Sequence, residues 1–194
     1  MLVLGLGNPG ARYARTRHNV GWWVLDELRR RWSAEALPAP ATYRAWRIAP
    51  HGREAHLMQP LTFMNLSGEA LDAWRERHGP DLAGALLVVA DDVYLPVGAI
   101  RIRTSGSSGG HRGLESIEQA LGTREFARLR IGVGMVESAG LRDYVLEEPA
   151  GDEAAGLEEA VRLASDAVEC WLGEGLRAAM NRFNRKVPKE ATET

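Results

Sequence analysis

The chain has 194 residues, 45% of them hydrophobic and 26% charged, enough for one domain with a core and ordinary for a globular protein. Its net charge of −2 excludes a polycation, although all but two of its 24 basic residues are arginine, which suits planar, two-pronged contact with phosphate or carboxylate. The single cysteine, Cys170, excludes an internal disulfide and reads as a small buried apolar residue. Apolar runs such as "ALLVVA" are too short to span a membrane and the N-terminus has no secretory pattern, so a cytoplasmic protein is expected.

In chain order, "MLVLGL" predicts a buried strand. "NVGWWVLDELRRRW" predicts a helix, with Val20, Val24, Leu25, Leu28 and Trp32 on one face and Asp26, Arg29 and Arg30 elsewhere. Pro38 to Ala41 break the pattern. "TYRAWRIA" and "EAHLMQP" read as strands around a hairpin turn at His51-Gly52. "SGEALDAWRERHG" predicts a helix with Ser67 as N-cap and Gly79-Pro80 as its stop. "GALLVVADD" reads as a buried strand ending in two acids, and "GAIRIRTS" as an exposed strand alternating apolar and basic residues. After the loop "SGSSGG" come a helix, "GLESIEQALG", and another alternating strand, "FARLRIGVGM". Residues from about 152 to 184 read as helical with a bend at Gly173 to Gly175.

Strands alternating with helices predict an α/β fold. The expectation is one domain over residues 1–187, a mixed twisted sheet flanked by helices on both faces, then a disordered tail over 188–194. The paired strands near residues 42–60 argue against an all-parallel sheet.

The first turn carries Gly5-x-Gly7-x-x-Gly10, the outward form of a dinucleotide-binding fingerprint. That fingerprint needs its third glycine at a helix start and an acid at the end of the next strand. Here Pro9 precedes Gly10, the polar, arginine-rich "ARYARTRHN" follows, and Asp26 and Glu27 lie on a predicted helix. The favoured reading is a tight turn at the carboxyl end of a strand, where open α/β sheets bind ligands.

Other chemistry gathers at such ends: His18 with Asn8, the run Phe63-Met64-Asn65, Asp91 with Asp92, and His111 with Arg112. A carboxylate on one ring nitrogen of a histidine fixes the tautomer and steadies the imidazolium. His18 with Asp91 could therefore activate a water, with Asn8 and Asn65 holding a carbonyl or the water. The spacing equally allows a solvated histidine, and an acid pair that binds a metal or caps a turn.

The blocks "GLGNPGARYARTRHNVG", "QPLTFMNLSG", "DDVYLPVG", "SGGHRGLESI", "RLRIGVG" and "AMNRFN", in this order, resemble bacterial peptidyl-tRNA hydrolase from residue 1 to about 187. The resemblance implies hydrolysis of the ester between a peptide and the 3′ end of tRNA. It implies a monomeric cytoplasmic enzyme with no metal, no cofactor and no obligate protein partner. In its terms His18 is the proton acceptor, Asp91 its support, and Asn8 helps to tell blocked from free aminoacyl-tRNA. Tyr13, Phe63 and Asn65 contact the terminal nucleotides or the peptide, and Met64 is an apolar wall. His111 belongs to the run that binds the acceptor end. Arg112 stands where that run has an asparagine, and an arginine offers donors but no acceptor.

For the tRNA body, Arg101 with Arg103 on one strand and Arg128 with Arg130 on another are candidate phosphate contacts, and Arg182, Arg185 and Lys186 could extend the patch. Two rivals stand beside the hydrolase reading. One is a serine hydrolase built from Ser107 or Ser108 with His111 and Asp91, although the loop lacks the Gly-x-Ser-x-Gly elbow. The other is a non-catalytic RNA-binding relative of the same fold. His51, His56 and His78 lack metal-ligand spacing and read as surface positions, and the six tryptophans as core or helix faces.

Overall fold

Long apolar runs make the centre of the sheet. In the computed structural model, which describes residues 1–82, 84–135 and 140–184, β1 (Leu2–Gly5) and β5 (Leu86–Asp92) are buried at every position, as strands covered on both faces must be. β4 (Ala55–Pro60) and β7 (Ala127–Gly132) flank them, giving a parallel core β4-β1-β5-β7. β3 (Tyr43–Ile48) pairs antiparallel with β4 and β6 (Ile100–Arg103) antiparallel with β7. A short β2 (Glu35–Leu37) that no sequence signal announced completes the order β2-β3-β4-β1-β5-β7-β6.

Helices cover both faces, as expected. α1 (Val20–Arg31), α5 (Gly151–Glu174) and α6 (Leu176–Phe183) pack on one side, with Val24, Leu28, Val168 and Trp171 in a core that includes Val3 and Val89. α2 (Ser67–His78) and α3 (Arg112–Leu121) pack on the other, with Leu71, Trp74, Leu114 and Ile117 against Leu4 and Val88. A five-residue helix, α4 (Leu141–Val145), follows β7 and was not anticipated. The long C-terminal helix breaks at Gly175 (φ 92°), at the expected bend. Among the described residues no helix is long and apolar enough to cross a membrane.

The opening glycines serve packing. A Cβ on Gly5 would stand 2.5 Å from the Gly21 carbonyl oxygen, and one on Gly21 would stand 2.6 Å from that of Leu6. This glycine pair lets α1 lie directly on β1. Gly10 sits at φ 110° and leads into a 3₁₀ turn, Ala11–Tyr13, with α1 not beginning until Val20. The third glycine therefore opens no helix for a dinucleotide. Topology then sets the site. α1 and the β2–β3 hairpin carry the chain to β4 on one side of β1, and α2 crosses the opposite face to β5 on the other side. The crevice beyond the carboxyl ends of strands at such a reversal is where open sheets bind ligands.

Three local expectations are corrected. Ser67 is the first residue of α2, not its N-cap, and its hydroxyl donates to the Met64 carbonyl at 2.8 Å. His56 is half-buried beside Trp74, with ring centroids 5.3 Å apart, and is not a surface residue. Arg128 is 1% exposed, not part of a solvated strand face. It donates to Glu118 Oε1, Ser107 O and Arg124 O, clamping β7 to α3 and the serine loop. The tail 188–194, Arg185 and Lys186 lie outside the described residues.

Candidate active site

The chain after β1 runs through Asn8 and two 3₁₀ turns before α1 begins. Asn19, wholly buried at the start of that helix, fastens this loop. Its Oδ1 accepts the Asn8 backbone N–H at 2.8 Å and its Nδ2 donates to the Asn8 carbonyl at 3.0 Å, so one side-chain amide pairs with the backbone as a neighbouring strand would. Asn8 Oδ1 in turn accepts the Met64 N–H at 2.8 Å, joining the loop after β1 to the one after β4. The Asn8 Nδ2 group has no hydrogen-bond partner among the described residues and remains available to the cleft that Asn8 lines. Sequence reading missed Asn19. The signal was an amide at a helix start, which looks like an ordinary cap, yet here the side chain makes no capping bond.

His18 and Asp91 meet as the sequence suggested: His18 Nδ1 lies 2.8 Å from Asp91 Oδ1. His111, which the sequence placed in the same neighbourhood and paired with Asp91 only in the serine-hydrolase rival, reaches the same oxygen through Nε2 at 2.9 Å. Its Nδ1 accepts the N–H groups of Gly113 at 3.1 Å and Leu114 at 3.3 Å, so His111 is the N-cap of α3. This network assigns the His111 proton to Nε2. His18 then donates from Nδ1, leaving the lone pair of Nε2 free. The two rings lie 5.0 Å apart and tilted by 47°.

The electrostatics follow from burial and these contacts. Burial raises the Asp91 carboxyl, but electrostatic interaction and hydrogen bonding with His18 and His111 outweigh it and hold the group well below the usual carboxylate range. Burial lowers the His18 imidazole, and the Asp91 charge and hydrogen bond overcome that and set it above its ordinary value of 6.5. Asp92, the second acid of the pair, is occupied differently. Its Oδ1 accepts the Tyr94 N–H at 2.8 Å and its Oδ2 lies 3.3 Å from Arg130 Nη1. Asp92 shapes the turn after β5, and Asp91 serves the histidines. His18, Asp91 and His111 place ligand atoms within 4.8 Å of one another, the spacing a metal ion would need. Direct N–H···O bonds account for that closeness.

These groups open onto a cleft of about 380 Å³. Asn8, Tyr13, His18, Phe63, Met64 and Asn65 line it from the β1 and β4 loops, and Asp91, His111, Arg112 and Arg130 from the rest of the rim. Phe63 is half exposed, Met64 is buried, and Asn65 and Arg112 are exposed, their side chains making no hydrogen bond or ion pair among the described residues. Arg130 is largely committed inward, donating to the Ser107 and Ser108 carbonyls at 2.9 and 2.8 Å besides meeting Asp92. Arg101 and Arg103 are not in the lining. They stand opposite Arg130 and Arg128 in the β6–β7 register, so all four arginines share one sheet face. Arg101 and Arg103 have no acidic partner among the described residues, whereas Arg182 is paired with Glu174 through two bonds of 2.8 Å.

Several lining residues carried no sequence signal: Tyr94, 61% exposed after β5, and Leu141, Arg142, Val145 and Leu146 on and after α4. The serine-hydrolase rival fails on geometry. Both nitrogens of His111 are engaged, by Asp91 and by the start of α3, leaving none to activate Ser107 or Ser108.

The family model described as peptidyl-tRNA hydrolase matches residues 2–191. The peptidyl-tRNA hydrolase of Bacillus subtilis is 43% identical over 188 residues, covering 96% of this chain and 100% of that protein. That of Syntrophomonas wolfei is 42% identical over 183 residues, covering 94% and 99%. A crystal structure of a peptidyl-tRNA hydrolase complexed with N-propanol superposes with a TM-score of 0.88 at 31% identity, covering 97% of this chain and 96% of that one. The enzyme from Acinetobacter baumannii gives a TM-score of 0.87 at 31% identity, covering 94% and 93%. With the match running almost from end to end, the chain belongs to the peptidyl-tRNA hydrolase family.

Proposed function

We propose that the chain hydrolyses the ester joining a peptide, or an N-blocked aminoacyl group, to the 3′ end of tRNA, with a water activated by His18. The observation that carries the mechanism is the His18–Asp91 contact of 2.8 Å at the floor of the cleft. The Nε2 lone pair takes a proton from water as the oxygen attacks the ester carbonyl. Asp91 stabilises the imidazolium that forms, and the imidazolium returns its proton to the departing ribose oxygen. The developing oxyanion needs donors, each worth about 2.7–4 kcal/mol, and in this reading the unpaired Asn8 Nδ2 group, on a residue that lines the cleft, serves as one.

Asn8 also gives a basis for selectivity. Its Oδ1 is engaged by Met64, so it meets the substrate as a donor. The amide of a blocked substrate offers a carbonyl to accept that bond. A free aminoacyl ester offers an ammonium in its place, which leaves the donor unpaired and is disfavoured. Arginines without acidic partners among the described residues supply the phosphate contacts in this reading: the exposed Arg112 and Arg142 at the cleft, and half-buried Arg101 with exposed Arg103 on β6. One chain supplies every residue named in the cleft, which supports a monomer, and a tRNA substrate supports a cytoplasmic enzyme.

Release of N-acetylated amino acid from charged tRNA is the direct test. The wild type is expected to release it and His18→Ala to lose about 10²–10⁴-fold. Undiminished release by His18→Ala would refute the assignment, and no release by the wild type would favour the RNA-binding alternative. In a pH–rate profile, kcat/KM of the wild type should rise with pH through a midpoint above 6.5, because the base must be unprotonated and Asp91 favours the protonated ring. Asp91→Asn removes that charge but not the burial, so the midpoint should move below 6.5 while the plateau falls by about 10²–10⁴-fold. Asn8→Ala should lose discrimination against unblocked aminoacyl-tRNA, and wild-type selectivity in that variant would remove the residue from the scheme. In a plot of log affinity against log salt, Arg112→Ala should flatten the slope by about 0.7 to 0.9, the share of one phosphate contact. An unchanged slope would assign Arg112 another role.

A further inference from the structure

Directly before His18 lies a buried arginine that the reaction as described does not use. Arg17 is 5% exposed. Its Nε and Nη2 donate to the two carboxylate oxygens of Glu153 at 2.5 and 2.6 Å, and its Nη1 donates to the Tyr144 carbonyl at 3.1 Å. The guanidinium lies 4.1 Å over the Tyr144 ring, and the Arg17 backbone N–H donates to the Glu147 carbonyl at 3.2 Å. The Tyr144 hydroxyl stands 2.6 Å from the Val133 carbonyl and 2.9 Å from Glu153 Oε1, one proton between two acceptors. Arg17 thus joins the turn that carries His18 to helix α4 and the first turn of α5, and the Tyr144 hydroxyl extends the network to the exit of β7.

Helix α4 depends on such ties. It has five residues and buries none of them fully, and a helix that short has no stability of its own. Yet α4 and the residue after it supply Leu141, Arg142, Val145 and Leu146 to the cleft. This wall is registered to the base through Arg17. Only arginine has the planar fork that meets a carboxylate with two bonds while a third nitrogen and the ring face are also engaged.

We propose that Arg17 is a positioning residue for the reaction, fixing the α4 wall of the cleft at a set distance from His18 so that the acyl chain lies over the base. The proposal rests on the hydrolase reading above. Because the wall touches the bound chain and not the reacting atoms, its loosening falls on KM more than on kcat.

The test uses the full chain and the variants Arg17→Lys, Glu153→Gln and Tyr144→Phe. Two readouts are taken: release of N-acetylated amino acid from tRNA, and amide hydrogen exchange over residues 141–147. Arg17→Lys is expected to lower kcat/KM by about 10- to 100-fold, mainly through KM. The pH midpoint should stay in place, and exchange over 141–147 should speed up. Arg17→Lys combined with Glu153→Gln should be little worse than either alone, since they break one network. Tyr144→Phe keeps the ring and loses only the hydroxyl contacts, so it carries the test if Arg17→Lys does not fold, and should raise both KM and exchange. Faster exchange with wild-type kinetics would reduce Arg17 to a structural tether and overturn the proposal, as would a moved pH midpoint with unchanged exchange. A wild-type protein without release activity defeats the hydrolase reading and this proposal together. With an active wild type, only the proposal is at stake.

Discussion

One carboxylate oxygen organises this molecule's functional end. Asp91 is 2% exposed, and burying an ionised carboxylate costs several kcal/mol unless donors replace its water. Two imidazole N–H groups do so, from residues 73 and 20 positions away in the chain, and both converge on Oδ1. The loop after β1, the end of β5 and the start of α3 are thereby held at one point. In the proposed mechanism the same contact supplies the chemistry, because the carboxylate charge that the ring N–H groups solvate is the charge that makes one of the rings a better base. His111 separates the two duties. With its Nδ1 serving as the cap of α3, it acts as a fixed donor, and the lone pair left for chemistry belongs to His18.

Side-chain amides do comparable work where backbone pairing ends. Beyond Gly5 the first strand has no ladder partner for Asn8, and Asn19 takes that place with one donor and one acceptor. Asn19 can reach because Gly5 and Gly21 bring α1 against β1. The opening glycines therefore act at one remove on the cleft: close helix–strand contact seats Asn19, Asn19 seats Asn8, and Asn8 seats the Met64 turn.

Much of this was legible in the sequence. The buried runs "LVLG" and "LLVVADD" gave the central strands, and the α1 pattern of Val20, Val24, Leu25 and Leu28 matched its buried face. Residues ending predicted strands or opening the next turn pointed to the rim, because strand ends on the same edge of a sheet must meet. What stayed hidden depends on partners far along the chain. β2 is three residues long, and two of them are exposed, so it has no run to read. Arg128 looks like any outward arginine of an alternating strand until Glu118 and the Ser107 and Arg124 carbonyls surround it. Arg17 reads as one more cation in "ARTRHN", because Glu153 lies 136 residues away. α4 is too short to show a period.

The outermost strand on the far side has a second consequence. β6 ends the sheet beyond β7, and a terminal strand offers backbone groups to other sheets unless they are paired; here the Asn184 side chain pairs both groups of Ile102, accepting its N–H at 2.7 Å and donating to its carbonyl at 2.9 Å. Arg101 and Arg103 stand on that strand without acidic partners among the described residues. A second copy adding itself there would bring its own two guanidinium groups up against them. Their mutual repulsion adds to the Asn184 cover in working against stacking of sheets into fibres, so charge that the proposed function assigns to phosphate also guards a flank of the fold against its own kind.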